Sequence, residues 1–164
     1  MEAIHMGNVA EWIRKAGREQ RIVEFKCPLT KDAEFFVKIS YASKFILNQI
    51  RDASKESSMN YRTRTSEEHL NDDKMRREYA RQIIRDWRGL TGAVVRQIVP
   101  GSKLLVEGSG IGKDTDLVPY DIETAISLLE VSIEFENWVL DTATNIENFS
   151  QISEQKEKEY SNLS

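Results

Sequence analysis

Cysteine is nearly absent from this chain. Cys27 stands alone among 164 residues, which excludes an intramolecular disulfide and any thiolate metal cluster. Histidine is as scarce: His5 and His69 are the only two, and neither has a second His or Cys at ligand spacing. No window approaches the roughly 18 uninterrupted apolar residues of a membrane span. The opening Met1-Glu-Ala-Ile-His-Met-Gly lacks the basic start and apolar run of a signal peptide. A reducing cytoplasm is therefore the expected location. No Gly-x-Ser-x-Gly elbow or His-Glu-x-x-His pair occurs. The glycine-rich Gly108-Ser-Gly-Ile-Gly-Lys113 has Glu107 where a phosphate loop needs glycine and Asp114 where it needs Ser or Thr. It also puts Lys113 at the third glycine position of the dinucleotide fingerprint, so it reads as a plain loop. Carboxylate pairs such as Glu67-Glu68 and Asp72-Asp73 fall on charged faces, unlike a catalytic dyad. An enzyme, a cofactor and a metal are all unexpected.

What remains is the composition of an ordinary globular protein, 40% hydrophobic and 30% charged. The length suits one domain. Charge is unevenly spread. Residues 1–106 carry 20 Lys and Arg against 14 Asp and Glu, whereas residues 107–164 carry 3 against 13. An acidic C-terminal surface would repel nucleic acid and attract a basic partner.

Residues 8–20 offer Asn8 as an N-cap and Val9, Trp12, Ile13 and Ala16 as one helical face, with Trp12 expected to cover the core. Arg21 to Pro28 alternates with period two, as does Glu34 to Ser40, so a hairpin is expected between them. Its apolar face, with Phe25 and Phe35, must be covered, because an isolated hairpin is marginal in water. A helix over 42–55 can supply Phe45, Ile46, Ile50 and Ala53. The polar stretch 56–65 has no period and reads as a mobile loop.

Thr65 to Glu68 has the form of a capping box, and Met75, Tyr79, Ile83 and Trp87 then recur at steps of four. This predicts a helix ending near Gly89, a residue suited to a left-handed C-cap. Its other side carries Arg76, Arg77, Arg81, Arg85 and Arg88, diluted by Asp72, Asp73, Glu78 and Asp86. Nucleic-acid binding through this Arg-rich helix, 74–88, is an alternative function. Pro100-Gly101 between Ala93–Val99 and Lys103–Glu107 reads as a second hairpin. Asp121 caps a final amphipathic run carrying Leu129, Phe135, Trp138, Val139 and Phe149, with or without a break near Ser132. The fold class is thus α+β: a small N-terminal β-hairpin with a mainly helical remainder. It forms a single domain over 1–150, with an N-terminal part (8–60) and a helical C-terminal part (66–150). A flexible acidic tail follows at 151–164.

Three segments taken together carry a resemblance. Arg81-Gln-Ile-Ile-Arg-Asp-Trp-Arg-Gly-Leu, Val118-Pro-Tyr-Asp-Ile-Glu-Thr-Ala-Ile-Ser-Leu-Leu and Phe135-Glu-Asn-Trp-Val resemble the tail assembly chaperones of long-tailed bacteriophages. Phe35-Phe-Val-Lys-Ile-Ser before a helix is similar to that family's first half, although the insert 93–117 is longer than the simple pattern needs. The resemblance implies a non-enzymatic protein of the host bacterial cytoplasm that binds the tape-measure protein and recruits tail-tube subunits during tail morphogenesis. A structural subunit of the tail or head-tail joint is the neighbouring alternative. Under the chaperone reading, Trp87, Tyr120, Phe135, Trp138 and Phe149 are the candidate partner-binding residues, exposed along an apolar groove. The competing reading places all five in the core.

Overall fold

The computed structural model describes residues 6–99 and 113–150. The expected strand over 103–107, most of the glycine-rich loop and the acidic tail at 151–164 lie outside them.

Chain order is α1 (Met6–Arg18), β1 (Ile22–Lys26), β2 (Phe36–Ser40), α2 (Lys44–Ser54), β3 (Lys55–Asn60), β4 (Thr65–Leu70), α3 (Asp72–Gln82), β5 (Ile84–Arg88), α4 (Gly92–Ile98), α5 (Ile122–Val131) and α6 (Ile133–Thr144). The mixed α+β class holds. The first hairpin forms as its alternation requires, β1 antiparallel to β2 with Val23 opposite Ile39 and Phe25 opposite Val37. Its inner face packs on the helices, with Phe35, Val37 and Ile39 fully buried. Ser43 caps α2 through the Ile46 N–H, and Ile46 and Ile50 are buried in the core.

The long helix expected to end near Gly89 is a correction. Asn71, not Thr65, caps α3 through the Lys74 N–H at 3.0 Å. The helix stops at Gln82, and residues 84–88 become β5, the third strand, antiparallel to β2. The register slips between Lys38 and Ile39, so Ile84 pairs with Ile39 while Trp87 pairs with Val37. This bulge puts two residues three apart on the same inner face. Bulged spacing imitates a helical period, which is why the segment reads as helix. Without β5 the outer edge of β2 would have no partner.

Residues 55–70 are a second correction. They form a regular two-stranded ribbon, β3 with β4, from Lys55 opposite Leu70 to Asn60 opposite Thr65. All of β4 and most of β3 are exposed. Polar cross-strand contacts take the place of an apolar face. Asn60 Nδ2 donates to Glu67 Oε1 at 2.9 Å, and His69 Nε2 lies 3.7 Å from Glu56 Oε2. Asn71 anchors the base, donating its N–H to the Ser54 carbonyl and its Nδ2 to Glu56. That bond, with Lys74 beside it, holds the Glu56 carboxyl below its ordinary acidity range.

Residues 92–98 form helix α4, capped by Thr91, rather than the first limb of a second hairpin, and they bury Val94, Val95 and Ile98. α5 and α6 break at Ser132, which ends one helix and caps the next through the Phe135 N–H. Asp121 caps α5 through the Thr124 N–H. The Ala42 N–H donates to the Ala143 carbonyl, fixing α6 to the end of β2.

Candidate protein-binding surface

The five aromatic residues expected to line a groove are placed mostly inside. Trp87, Phe135 and Phe149 are buried, and Tyr120 and Trp138 are partly buried against the same core. Phe149 closes the inner face of the hairpin, edge-on to Phe25 at 5.6 Å and tilted against Tyr41 at 5.2 Å. Phe135 contacts Trp138 at 6.0 Å. Their apolar surface is consumed in packing, and no exposed aromatic groove runs along α6. The expectation of exposed anchors is corrected on that ground.

Trp87 and Tyr120 nevertheless form a distinct unit. The Trp87 indole N–H donates to the Val118 carbonyl at 2.9 Å, and the Tyr120 hydroxyl returns a bond to the Ile84 carbonyl at 2.8 Å. The two rings meet edge to face at 4.9 Å. Burial raises the Tyr120 phenol above its ordinary value, so it stays a neutral donor. The Val118 N–H donates to Leu90 at 2.7 Å, and a single bridge joins Thr91 to Leu117. Gly89 allows the turn: its φ is +77°, and a β-carbon there would lie 2.0 Å from the Glu34 carbonyl oxygen. Arg-Asp-Trp-Arg-Gly and Val-Pro-Tyr-Asp are thus two halves of one structural clasp. Gly89 has the expected positive φ, but in a turn after a strand.

The apolar surface that stays outside lies elsewhere. On α1, Val9 is 40% exposed, Trp12 70% and Ile13 57%. They occupy one stripe at i, i+3 and i+4. Along residues 8–18 all but Ala10 and Ala16 are exposed, so the helix rests lightly on its neighbours. Trp12, expected to cover the core, does not. Phe45 on α2 is also 40% exposed, and the Arg18 guanidinium sits 5.4 Å from its ring centroid. Beside Trp12, a shallow groove of about 260 Å³ is bordered by Lys15, Ala16, Glu19 and Arg21. Of the basic residues on α1, Lys15 borders Trp12. Sequence periodicity found this stripe; only the tertiary structure shows it facing outward.

The Arg-rich face offers less free charge than its count implies. Arg76 pairs with Asp73 and Glu136, Arg77 with Glu123, and Arg81 with Glu78. Arg88, on β5, stacks over Phe36 at 4.1 Å and reaches across the sheet to Glu24 at 2.8 Å. Among the described residues no group of three or more His, Cys, Asp or Glu could hold a metal ion, and no helix is long and apolar enough to cross a membrane. Burial raises the Cys27 thiol above its ordinary value, leaving it unreactive.

The exposed apolar stripe thus lies on α1, while the aromatic motifs of the clasp and of α6 pack the interior. A family model described as YdaY prophage protein matches residues 30–159. The chain belongs to that prophage family. The matched span takes in the ribbon, the clasp and α5–α6, and leaves α1 and β1 before it. Neither the curated proteins nor the solved structures gave a match.

Proposed function

We propose that this prophage protein is a tail assembly chaperone that acts by binding, without a catalytic step, and that α1 is laid against an apolar helix of the tape-measure protein. The observation that carries this reading is the uncovered stripe of Val9, Trp12 and Ile13. Isolated helices shorter than roughly 12–15 residues are marginal in water, and most helical stability comes from packing an apolar face. A 13-residue helix that leaves its apolar stripe in solvent gains most from a partner helix packed over that stripe. A long, aggregation-prone helical protein supplies such faces repeatedly. Family membership supports a phage context, and the resemblance of the clasp and α5–α6 segments to tail assembly chaperones supplies the narrower role. Under this reading the protein works in the host bacterial cytoplasm, recruits tail-tube subunits and leaves before the particle is complete.

The test is co-expression with the tape-measure protein of the same prophage. The expected result is a soluble complex that co-elutes on size exclusion, with the tape-measure protein insoluble when expressed alone. Trp12→Glu should abolish co-elution while leaving the unfolding midpoint unchanged. Unaltered tape-measure solubility would overturn the chaperone reading. Recovery of the protein in finished tails would make it a structural subunit instead.

A further inference from the structure

The β3–β4 ribbon ends in an ordered turn of unusual composition. Tyr61 is 88% exposed and Met59 59%, and Arg62 and Arg64 stand on either side of Thr63. Six residues per strand, at about 3.3 Å each, carry this tip on the order of 20 Å from the base. The turn is held by side chains: the Arg62 N–H donates to Asn60 Oδ1 at 3.0 Å, and the Thr63 and Thr65 hydroxyls share a bond of 2.6 Å. Unlike Arg76, Arg77, Arg81 and Arg88, the guanidinium groups of Arg62 and Arg64 have no acidic partner among the described residues. Tyr, Arg and Met are the residue types enriched where proteins bind proteins.

The same chain carries the complementary surface. At the α5–α6 junction Val131 is 56% exposed and Ile133 73%, and the exposed Glu130 and Glu134 flank them. Neither glutamate is ion-paired among the described residues. Arg76 and Arg77, which border Glu130, are committed to Asp73, Glu136 and Glu123. Two unpaired cations around an aromatic and a thioether thus have their counterpart in two unpaired carboxylates around two aliphatic side chains.

We propose that the ribbon tip of one copy docks on the α5–α6 junction of a second copy, with Arg62 and Arg64 facing Glu130 and Glu134 and with Tyr61 and Met59 covering Val131 and Ile133. The two surfaces are different, so each contact leaves one free tip and one free junction. Association is head to tail and continues until it closes or the protein runs out. A contact built on so small a tip falls short of the roughly 800 Å² per partner of a stable interface. It is therefore weak in isolation and strengthens when many copies lie side by side. The inference is independent of the tape-measure reading.

Sedimentation velocity on the full chain tests it. At about 100 µM protein and low salt the mass-average size rises with concentration, and it collapses toward monomer at about 0.5 M salt, where the Debye length falls to a few ångström. Arg62→Glu/Arg64→Glu and Glu130→Arg/Glu134→Arg are each monomeric alone. Mixed in equal amounts they assemble again, because the acidic tip of one now meets the basic junction of the other. Arg64→Gly keeps the fold reading clean: its φ of +53° is one that glycine adopts freely, so the variant folds at least as well yet associates several-fold more weakly. Association that survives high salt overturns the proposal. So does association that is lost in Trp12→Glu but kept in the tip reversal, which would place self-contact on α1. Tip-dependent retention of duplex DNA by a protein that stays monomeric would also overturn it, in favour of a nucleic-acid contact.

Discussion

Trp87 and Trp12 sit in short charged contexts, Arg-Asp-Trp-Arg and Ala-Glu-Trp-Ile, yet one is 6% exposed and the other 70%. Trp87 lies on a strand that fills the free edge of β2, and residues 118–120 close over it with a hydrogen bond to its indole. Trp12 lies on a helix that no segment among the described residues closes over. The difference is not in the residue or its amphipathic neighbourhood. It is in whether a distant segment returns to cover it. The buried region specifies the fold, and the exposed one leaves its apolar side chains in solvent.

The largest way to break this comparison is to open the clasp. Gly89→Ala puts a β-carbon 2.0 Å from the Glu34 carbonyl oxygen at a φ of +77°. Backbone strain of this kind costs about 1–3 kcal/mol before any clash is counted, so a total loss of at least ~3 kcal/mol is expected by urea denaturation. A loss under ~1 kcal/mol would mean that the turn rearranges freely and that the clasp is not what covers Trp87.

Next in size is the pair of hydrogen bonds that hold the clasp shut. Trp87→Phe leaves the Val118 carbonyl without its donor, and Tyr120→Phe does the same to Ile84. Each should cost ~1–3 kcal/mol, the penalty of an unsatisfied buried acceptor. The rings touch, so the double variant should depart from additivity by ~0.5 kcal/mol or more. Strict additivity would show two independent contacts rather than one device.

Much of the architecture is legible without coordinates, because β1, β2, α2, α5 and α6 follow clean periods and caps. Ser43, Asp121 and Ser132 each cap the helix that follows them. The failures share one physical cause. A bulge spaces Ile84 and Trp87 like neighbours on a helix, and an exposed ribbon such as 55–70 has no buried face to write a pattern. Periodicity reports which residues share a side, not what lies on that side. So Trp12 read as core, and the five aromatic residues Trp87, Tyr120, Phe135, Trp138 and Phe149 stayed open between core and partner surface, for the same reason. Their residue types are those of core and interface alike.

The outer face of the sheet whose inner face holds Trp87 gives a smaller, pH-dependent handle. Glu24 accepts two hydrogen bonds from Arg88, which hold its carboxyl below the ordinary 4.5. A carboxyl whose acidity is strengthened by folding contributes stability at pH above 4.5, and that contribution is lost as the pH falls through its lowered value. The pair is exposed and screened, so its effect is modest. Melting profiles of the wild type and Glu24→Gln should be separated near neutrality, converge below pH 4.5, and approach each other in high salt. A gap that widened in acid would reverse the assigned sign.

The smallest effect on stability is expected where the comparison began, at Trp12. Replacing a buried tryptophan by glutamate would unfold a domain of this size, since an unpaired charge would enter a core with no partner for it. At Trp12 the carboxylate meets solvent and the nearby Lys15 and Arg21, so Trp12→Glu should change unfolding free energy by no more than about 0.5 kcal/mol. Exposed tryptophan that contributes nothing to folding still costs solubility, so the variant should also remain monodisperse to higher concentration. Its value lies in the pairing of these outcomes with loss of the partner. Destabilisation on the order of 2 kcal/mol would show that α1 closes onto its own chain in solution, and the stripe would then belong with Trp87 on the folded side of the comparison.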